Sequence, residues 1–144
     1  MNAAGAVWLA HSAPQPAGVR RAWANDNLAA IPSRLWDVVE ADLRRSLDAM
    51  ERLGRTGQLG PVLVHPDTQR AWWLVTRGAE QQLADWATLT VRPTGWLLHC
   101  PPLDRPVSGR GWLEKPDGSG RLTDPAALGA AFGPGGRLPA EAFG

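Results

Sequence analysis

The chain contains no tyrosine, two phenylalanines and one cysteine in 144 residues. Because Cys100 is the only cysteine, no disulfide can form within the chain, and a reducing cytoplasm is the default location. A charge excess is missing as well, since 15 basic residues face 14 acidic ones and the net charge is +1. The sequence as a whole therefore has no field that would draw it to nucleic acid or to an anionic membrane.

Long hydrophobic runs are also absent. No segment approaches the roughly 20 apolar residues that a transmembrane helix needs, and the first residues lack the basic start and long apolar stretch of a secretory signal. The segment Gly118-Ser119-Gly120 lacks the downstream lysine of a phosphate-binding loop. We expect no membrane association and no cofactor.

Tryptophan takes the place of the missing aromatic residues, with eight in the chain. Arginine similarly replaces lysine, because Lys115 is the only lysine among the 15 basic residues. Together with 16 glycines and 13 prolines, this is the amino-acid usage of a very GC-rich coding sequence. Most tryptophan side chains are expected to fill the core.

Composition divides the chain into three parts. Residues 1–31 combine Ala, Gly and Pro with few aliphatic side chains, which predicts a mobile arm with Trp8 or Trp23 as its anchor. Residues 133–144 are rich in glycine and predict a disordered tail. Residues 32–132 are predicted to form a single globular domain.

The clearest predicted element is an amphipathic helix from about Ser33 to Leu53. Ser33 suits an N-cap, and Gly54 suits the position after the last turn. Acidic residues precede basic ones by four positions, as in Glu40 and Arg44, which predicts a solvated helix surface. The opposite side carries an apolar stripe at spacings of three or four, formed by Trp36, Val39, Leu43, Leu47 and Met50.

Residues 61–65 and 70–76 are predicted to form a β-hairpin. Apolar side chains lie on both of its faces, so each face needs a cover, either a helix, the N-terminal arm or a partner. The turn sets the cross-strand pairs His65–Arg70, Leu63–Trp72 and Val62–Trp73.

The remaining elements complete an α+β domain. The order of elements predicts a mostly antiparallel sheet of about four to five strands, packed by the N-terminal amphipathic helix and a short C-terminal helix. That last helix begins at Asp124-Pro125, a capping residue followed by proline. The other predicted elements are a short helix over Ala79–Trp86 and strands near residues 90–92, 94–100 and 111–115.

Several segments of the chain resemble a group of short, uncharacterised actinobacterial proteins of mixed α/β pattern. The resemblance spans about Leu35 to Leu128 and implies no activity, cofactor or site residue. It is carried by Pro61-Val62-Leu63-Val64-His65-Pro66, Trp73-Leu74-Val75, Gly95-Trp96-Leu97, Trp112, Asp117-Gly118-Ser119-Gly120 and Asp124-Pro125.

His65, Asp67, His99 and Cys100 are the only group whose residue types suit a nucleophile or a zinc ion. Adjacent strand residues point to opposite faces, so His99 and Cys100 do not share a site if both lie in the strand. The simpler interpretation is a buried Cys100 beside a solvent-facing His99. A hydrolase-like or metal-binding enzyme at His65, His99 and Cys100 is the third functional hypothesis, and neither catalytic residues nor metal ligands are predicted.

The tryptophans of the sheet carry the two leading hypotheses. The first is a non-catalytic binding or regulatory module that contacts a protein partner, or itself as a homo-oligomer, through an apolar Trp-rich sheet face. The alternative is a nucleic-acid-associated module, in which tryptophans stack on unpaired bases while arginines, Arg110 among them, hold the phosphates. The candidate binding residues are Trp72, Trp73, Trp96, Trp112, Arg70 and Arg92.

Overall fold

The computed structural model describes residues 3–133, which form five α-helices and seven β-strands. The helices are α1 (Ala3–His11), α2 (Pro16–Ala24), α3 (Leu43–Arg55), α4 (Ala79–Leu83) and α5 (Pro125–Phe132). The strands are β1 (Ala29–Pro32), β2 (Asp37–Asp42), β3 (Val62–His65), β4 (Arg70–Val75), β5 (Thr90–Val91), β6 (Leu97–Cys100) and β7 (Gly111–Glu114). The predicted α+β class is confirmed.

The strands form two antiparallel sheets. The larger has five strands in the order β5-β2-β4-β3-β7, and the smaller pairs β1 with β6. The predicted hairpin is confirmed in the predicted register, because β3 and β4 pair through His65–Arg70, Leu63–Trp72 and Val62–Trp73. A single 3-10 turn, Pro66–Thr68, joins the two strands, and Gln69 closes it at a φ of 57°.

Both faces of the five-stranded sheet are covered. On one face, α3, α4 and α5 pack over a cluster that includes Val62 and Trp73. On the other face, α1, α2 and the β1–β6 sheet pack over a cluster that includes Leu63 and Trp72. Trp73 is fully buried and Trp72 is 5% exposed. The cover of the hairpin's second face is therefore the N-terminal segment of the chain itself.

The expectation of a mobile arm over residues 1–31 is corrected for the part that the structure describes. Residues 3–24 contain α1 and α2, whose Leu9 and Trp23 are buried in the core. The Trp23 Nε1 donates to the backbone oxygen of Cys100 at 3.0 Å, and the Trp36 Nε1 donates to Ser12 Oγ at 3.2 Å. The globular unit thus begins far upstream of residue 32.

Small residues explain why composition gave the wrong expectation for this segment. A Cβ atom at Gly5 would overlap the Pro116 carbonyl oxygen, and a Cβ at Gly118 would lie 2.6 Å from the Ala4 Cβ. The alanines and glycines that predicted weak burial are what allow α1 to approach the opposite backbone this closely. The prediction of a disordered tail over residues 133–144 stays a prediction, because residues 134–144 lie outside the described residues.

The predicted helix from Ser33 to Leu53 is wrong in its first half. Residues 37–42 form β2, which pairs with β4 on one side and with β5 on the other. The helix begins only at Leu43, because the Asp42 carboxylate caps it by accepting from Arg45 N at 3.0 Å. The β-branched pair Val38 and Val39 suits the central strand, and both side chains are fully buried.

The apolar stripe predicted for this helix is changed accordingly. Leu47, assigned to the stripe, is 48% exposed, whereas Ser46, Ala49 and Leu53 form the buried face of α3. The Trp73 Nε1 donates to Ser46 Oγ at 3.0 Å, which satisfies the polar end of a fully buried ring.

The C-terminal helix is confirmed at its predicted residues. Asp124 caps α5 by accepting from Ala127 N at 3.0 Å, and Pro125 occupies the first turn. Within residues 3–133, no helix combines the length and the apolarity that crossing a bilayer requires.

Candidate functional site

Five of the six predicted binding residues belong to one face of the sheet or its margin, and the sixth does not. Trp73 points into the opposite layer, where it is fully buried against α3 and meets the Phe132 ring edge-on at 6.3 Å between centroids. Arg70 and Trp72 alternate with it along β4 and therefore share the other face. Trp73 is a core residue and is removed from the candidate set.

The Glu40 carboxylate accepts hydrogen bonds from three of the remaining five residues. Its Oε1 accepts from Trp72 Nε1 at 2.9 Å and from Arg92 Nη2 at 2.7 Å. Its Oε2 accepts from Arg70 Nε at 3.0 Å. Glu40 is directly opposite Trp72 in the β2–β4 register, which brings the carboxylate within reach of the indole.

Two arginine guanidinium groups stack on tryptophan rings beside this carboxylate. Arg92 lies 5.1 Å from the Trp96 ring centroid, and Arg110 lies 4.4 Å from the Trp72 ring centroid. Both separations are within the range of cation–π contacts. The result is one continuous run of contacts, here called the arginine–tryptophan cluster, which consists of Glu40, Arg70, Trp72, Arg92, Trp96 and Arg110.

A tight turn places Arg110 over the Trp72 ring. Val107 and Arg110 exchange two backbone hydrogen bonds of 3.0 and 2.9 Å, and the two residues between them, Ser108 and Gly109, have φ values of 51° and 78°. Two successive positive φ values are those of a type I′ turn. The positive φ favours glycine at position 109, where a Cβ would lie 2.9 Å from His65 Nε2 and would require that side chain to shift.

Trp112 lies near the cluster, but its contacts are with the core and with the backbone. It stands opposite Leu63 on β7, so β3 separates it from Trp72 by roughly 10 Å. Its Nε1 donates to the backbone oxygen of Pro101 at 3.0 Å, and the half-buried ring packs on the core. Trp112 therefore extends the aromatic surface without joining the contacts around Glu40.

The cluster carries excess positive charge that is partly shielded from water. The cluster contains three arginines and one carboxylate, so its formal sum is 3 − 1 = +2, and only Arg70 and Arg92 pair with Glu40. The side chains of Arg70 and Arg92 are 36% and 34% exposed, while that of Glu40 is 13% exposed. Two cations thus remain reachable beside a carboxylate that is almost covered.

Glu40 stays ionised in this setting. Burial by itself would raise the pKa of the carboxyl, but the hydrogen bonds from Arg92, Trp72 and Arg70 outweigh it and hold the pKa below its ordinary value. Burial lowers the pKa of the Arg110 guanidinium, which still keeps its charge because arginine does not deprotonate in proteins.

The residues with nucleophile or metal chemistry are not brought together. Cys100 is fully buried, and that burial raises the pKa of its thiol far above the ordinary range. His99 lies on the exposed side of β6, and His65 Nδ1 is 2.7 Å from Thr68 Oγ1. Among residues 3–133, no group of three His, Cys, Asp or Glu side chains is placed to hold a metal ion.

Similarity to known proteins does not assign the cluster a role. No protein-family model matches the chain, and no curated protein or solved structure is significantly similar to it. Any role for the cluster must therefore be argued from its chemistry. Guanidinium groups ordered by stacking, and offset by too little negative charge, suit the recognition of a phosphate-bearing ligand.

Sequence reasoning missed one central member of the site. Glu40 was assigned to the solvated side of a helix through its spacing from Arg44, whereas it lies on β2 and pairs with Arg70 and Arg92. The useful signal was the β-branched pair Val38-Val39 just before it, which favours a strand. In a strand, Glu40 becomes the cross-strand neighbour of Trp72.

Proposed function

We propose that the chain binds single-stranded nucleic acid through the arginine–tryptophan cluster. The observation that carries the proposal is the pair of arginine–tryptophan stacks, Arg92 on Trp96 and Arg110 on Trp72, next to one shared carboxylate. Phosphates would bind the guanidinium edges, while unpaired bases would stack on the guanidinium planes and on the accessible part of Trp96.

The burial of the hairpin tryptophans favours this function over an apolar docking face. Protein contact or self-association was predicted from the idea that one face of the sheet stays uncovered. With Trp72 5% exposed and Trp73 fully buried, neither ring can offer such a face. The polar and charged margin around Glu40 is then the more distinctive surface, and a protein partner becomes an alternative outcome of the test.

The test is binding of fluorescein-labelled oligo(dT) of about 15 nucleotides, followed by anisotropy over a range of salt concentrations. Replacing Arg110 with Ala is expected to weaken binding about tenfold at low salt. It should also reduce the magnitude of the salt slope by about 0.7, the value for one phosphate contact on a single strand. R110K should keep the slope but lose affinity, because ammonium does not stack as guanidinium does.

Arg44→Ala is the matched control, because Arg44 is exposed on α3, which covers the opposite face of the sheet. Its affinity should equal that of the unmodified chain. Equal losses in R44A and R110A, or no binding at low salt, would rule out the cluster as a nucleic-acid site. Binding of an acidic peptide instead of oligo(dT), lost in R110A, would assign the same surface to a protein partner.

A further inference from the structure

A second concave surface lies between α1, α2 and the segment that follows β6. It is a pocket of about 410 Å³ that shares no residue with the arginine–tryptophan cluster. Trp23, Pro102 and Leu103 supply its apolar side, together with alanines of α1 and α2, and Arg20 of α2 also lines it. That volume lies within the range of about 300–1,000 Å³ typical of small-molecule sites.

One of the three basic residues at this pocket, Arg105, already has hydrogen-bond partners on all three of its nitrogens. Arg105 donates from Nε to Asp26 Oδ1 at 2.8 Å and from Nη1 to Asp104 Oδ1 at 2.9 Å. Its third nitrogen, Nη2, donates to the backbone oxygen of Trp23. Arg105 therefore ties the end of α2 to the segment after β6 and forms a fixed wall of the pocket.

The other two basic residues are available. Neither the Arg20 guanidinium nor the Lys115 ammonium has an ion pair or a hydrogen bond to any of the described residues. Both side chains line the pocket, whose one acidic lining residue, Asp104, is engaged by Arg105. Two unpaired cations in the lining of a mostly apolar pocket form a surface complementary to an amphiphilic anion.

We infer that this pocket binds a small apolar molecule with one anionic head. The apolar body would lie against Trp23 and Leu103, which are 7% and 9% exposed. The carboxylate, sulfonate or phosphate head would accept from Arg20 and Lys115 through charge-assisted hydrogen bonds. This site is independent of the proposed nucleic-acid surface.

Two probes with the same aromatic frame separate the two halves of the inference. 8-Anilinonaphthalene-1-sulfonate carries the anionic head, and N-phenyl-1-naphthylamine lacks it. The sulfonate is expected to bind saturably with one site per chain and about tenfold more tightly than the neutral probe. The double variant R20Q/K115Q should remove that difference, so that both probes bind with the affinity of the neutral one.

Chemical modification of Lys115 gives a second measurement of ligand binding at the pocket. Because Lys115 is the only lysine of the chain, acylation by an amine-specific ester can be followed on one peptide by mass spectrometry. The sulfonate should slow acylation of Lys115, and the neutral probe should slow it less. Ala24→Leu adds bulk at an exposed residue that lines the pocket, so it should weaken both probes without unfolding the chain.

Arg44→Gln serves as the control for loss of surface charge. Sulfonate binding that is unchanged in R20Q/K115Q, or equally reduced in R44Q, would overturn the inference, as would a lack of saturation. Oligo(dT) binding should be the same in R20Q/K115Q as in the unmodified chain. A failure of the pocket is thereby distinguished from a failure of the nucleic-acid proposal.

Discussion

At the scale of single residues, the Glu40 carboxylate fixes the direction of two arginine side chains. It accepts from Arg70 Nε at 3.0 Å, from Trp72 Nε1 at 2.9 Å, and from Arg92 through Nη2 at 2.7 Å and Nε at 3.1 Å. Such hydrogen bonds to a charged group are about twice as strong as neutral ones. The same carboxylate also offsets positive charge that a phosphate would otherwise use, so Glu40 stabilises the cluster and weakens its attraction for anions.

The substitution Glu40→Gln separates these two effects. We expect the free energy of unfolding to fall by about 1.5 kcal/mol, because Arg70 and Arg92 lose their charged acceptor. Oligo(dT) should bind more tightly, since the formal charge of the cluster rises from +2 to +3 by removal of one negative charge. Urea denaturation and anisotropy measure the two quantities, and a change of both in the same direction would contradict this account.

The stabilising effect of Glu40 depends on pH in a defined direction. Because folding lowers the pKa of this carboxyl, its contribution is complete above the pKa of the unfolded chain, about 4.3. It is lost as the pH falls through the lower pKa of the folded state. The stability difference between the unmodified chain and E40Q should therefore shrink below about pH 4. Glu51→Gln, which removes only an exposed pair with Arg55, should show almost no such dependence.

At the scale of elements, Asp42 divides a segment whose apolar spacing fits both a helix and a strand. Trp36, Val39 and Leu43 recur at helical spacing, yet only Leu43 belongs to α3. The cap at Asp42 ends β2 and begins the helix in one residue, with an extended backbone at ψ 138°. A short-range pattern could not reveal this boundary, because β2 is fixed by its pairing with β4 and β5.

Replacement of Asp42 by Ala should lower the free energy of unfolding by about 1 kcal/mol, the usual effect of losing a helix N-cap. The Arg45 amide, which donates to the Asp42 carboxylate at 3.0 Å, would then hydrogen-bond to water. Asp48→Ala, an exposed residue of the same helix, is the matched control and should change stability by less than about 0.5 kcal/mol. Similar losses in both variants would argue against the cap.

The parts that could be predicted are those set by neighbouring residues. The β3–β4 register followed from a short connection and alternating side chains, and the start of α5 followed from Asp124-Pro125. The grouping of Arg70, Trp72, Arg92, Trp96 and Arg110 was partly foreseen for the same reason, since four of them lie in predicted strands and Arg110 immediately precedes one. Glu40 was placed on a helix because the helical spacing outweighed the strand signal of Val38-Val39, and its neighbours follow only from the pairing of β2 with a strand about 30 residues away in sequence.

At the scale of the whole molecule, the N-terminal helices close the second face of the sheet. Leu9 and Trp23 are buried in the same cluster as Trp72 and Cys100. The closure depends on the absence of a side chain at Gly5, where α1 meets the backbone of Pro116. Long-range packing of small residues leaves no periodic trace in a sequence, which is why this closure was not predicted.

Substituting Gly5 with Ala should destabilise the chain by about 2 kcal/mol, as overpacking does. A loss of stability would identify the close contact as its cause, because replacing Gly by Ala inside a helix otherwise stabilises by up to about 1 kcal/mol. Gly18→Ala in α2 is the control, since its Cβ would meet nothing nearer than 3.9 Å, and it should stabilise. Cys100, the only thiol, should react slowly with a disulfide reagent in the unmodified chain and faster in G5A.

If the thiol of G5A reacts no faster than that of the unmodified chain, the packing of α1 does not shield Cys100 from the reagent. If G5A and G18A shift stability in the same direction, the close approach at Pro116 is without effect. Either result would contradict the role given to Gly5.

The contact between Gly5 and Pro116 can form only after the ribosome has synthesised the residues between them. At about 5–20 residues per second, the ribosome needs roughly 6–20 s to proceed from one of these residues to the other. Until β6 and then the segment around Pro116 have been synthesised, α1 and α2 lack part of the surface against which Leu9 and Trp23 are buried. Leu9 and Trp23 therefore lack their final packing partners for most of the synthesis of the chain.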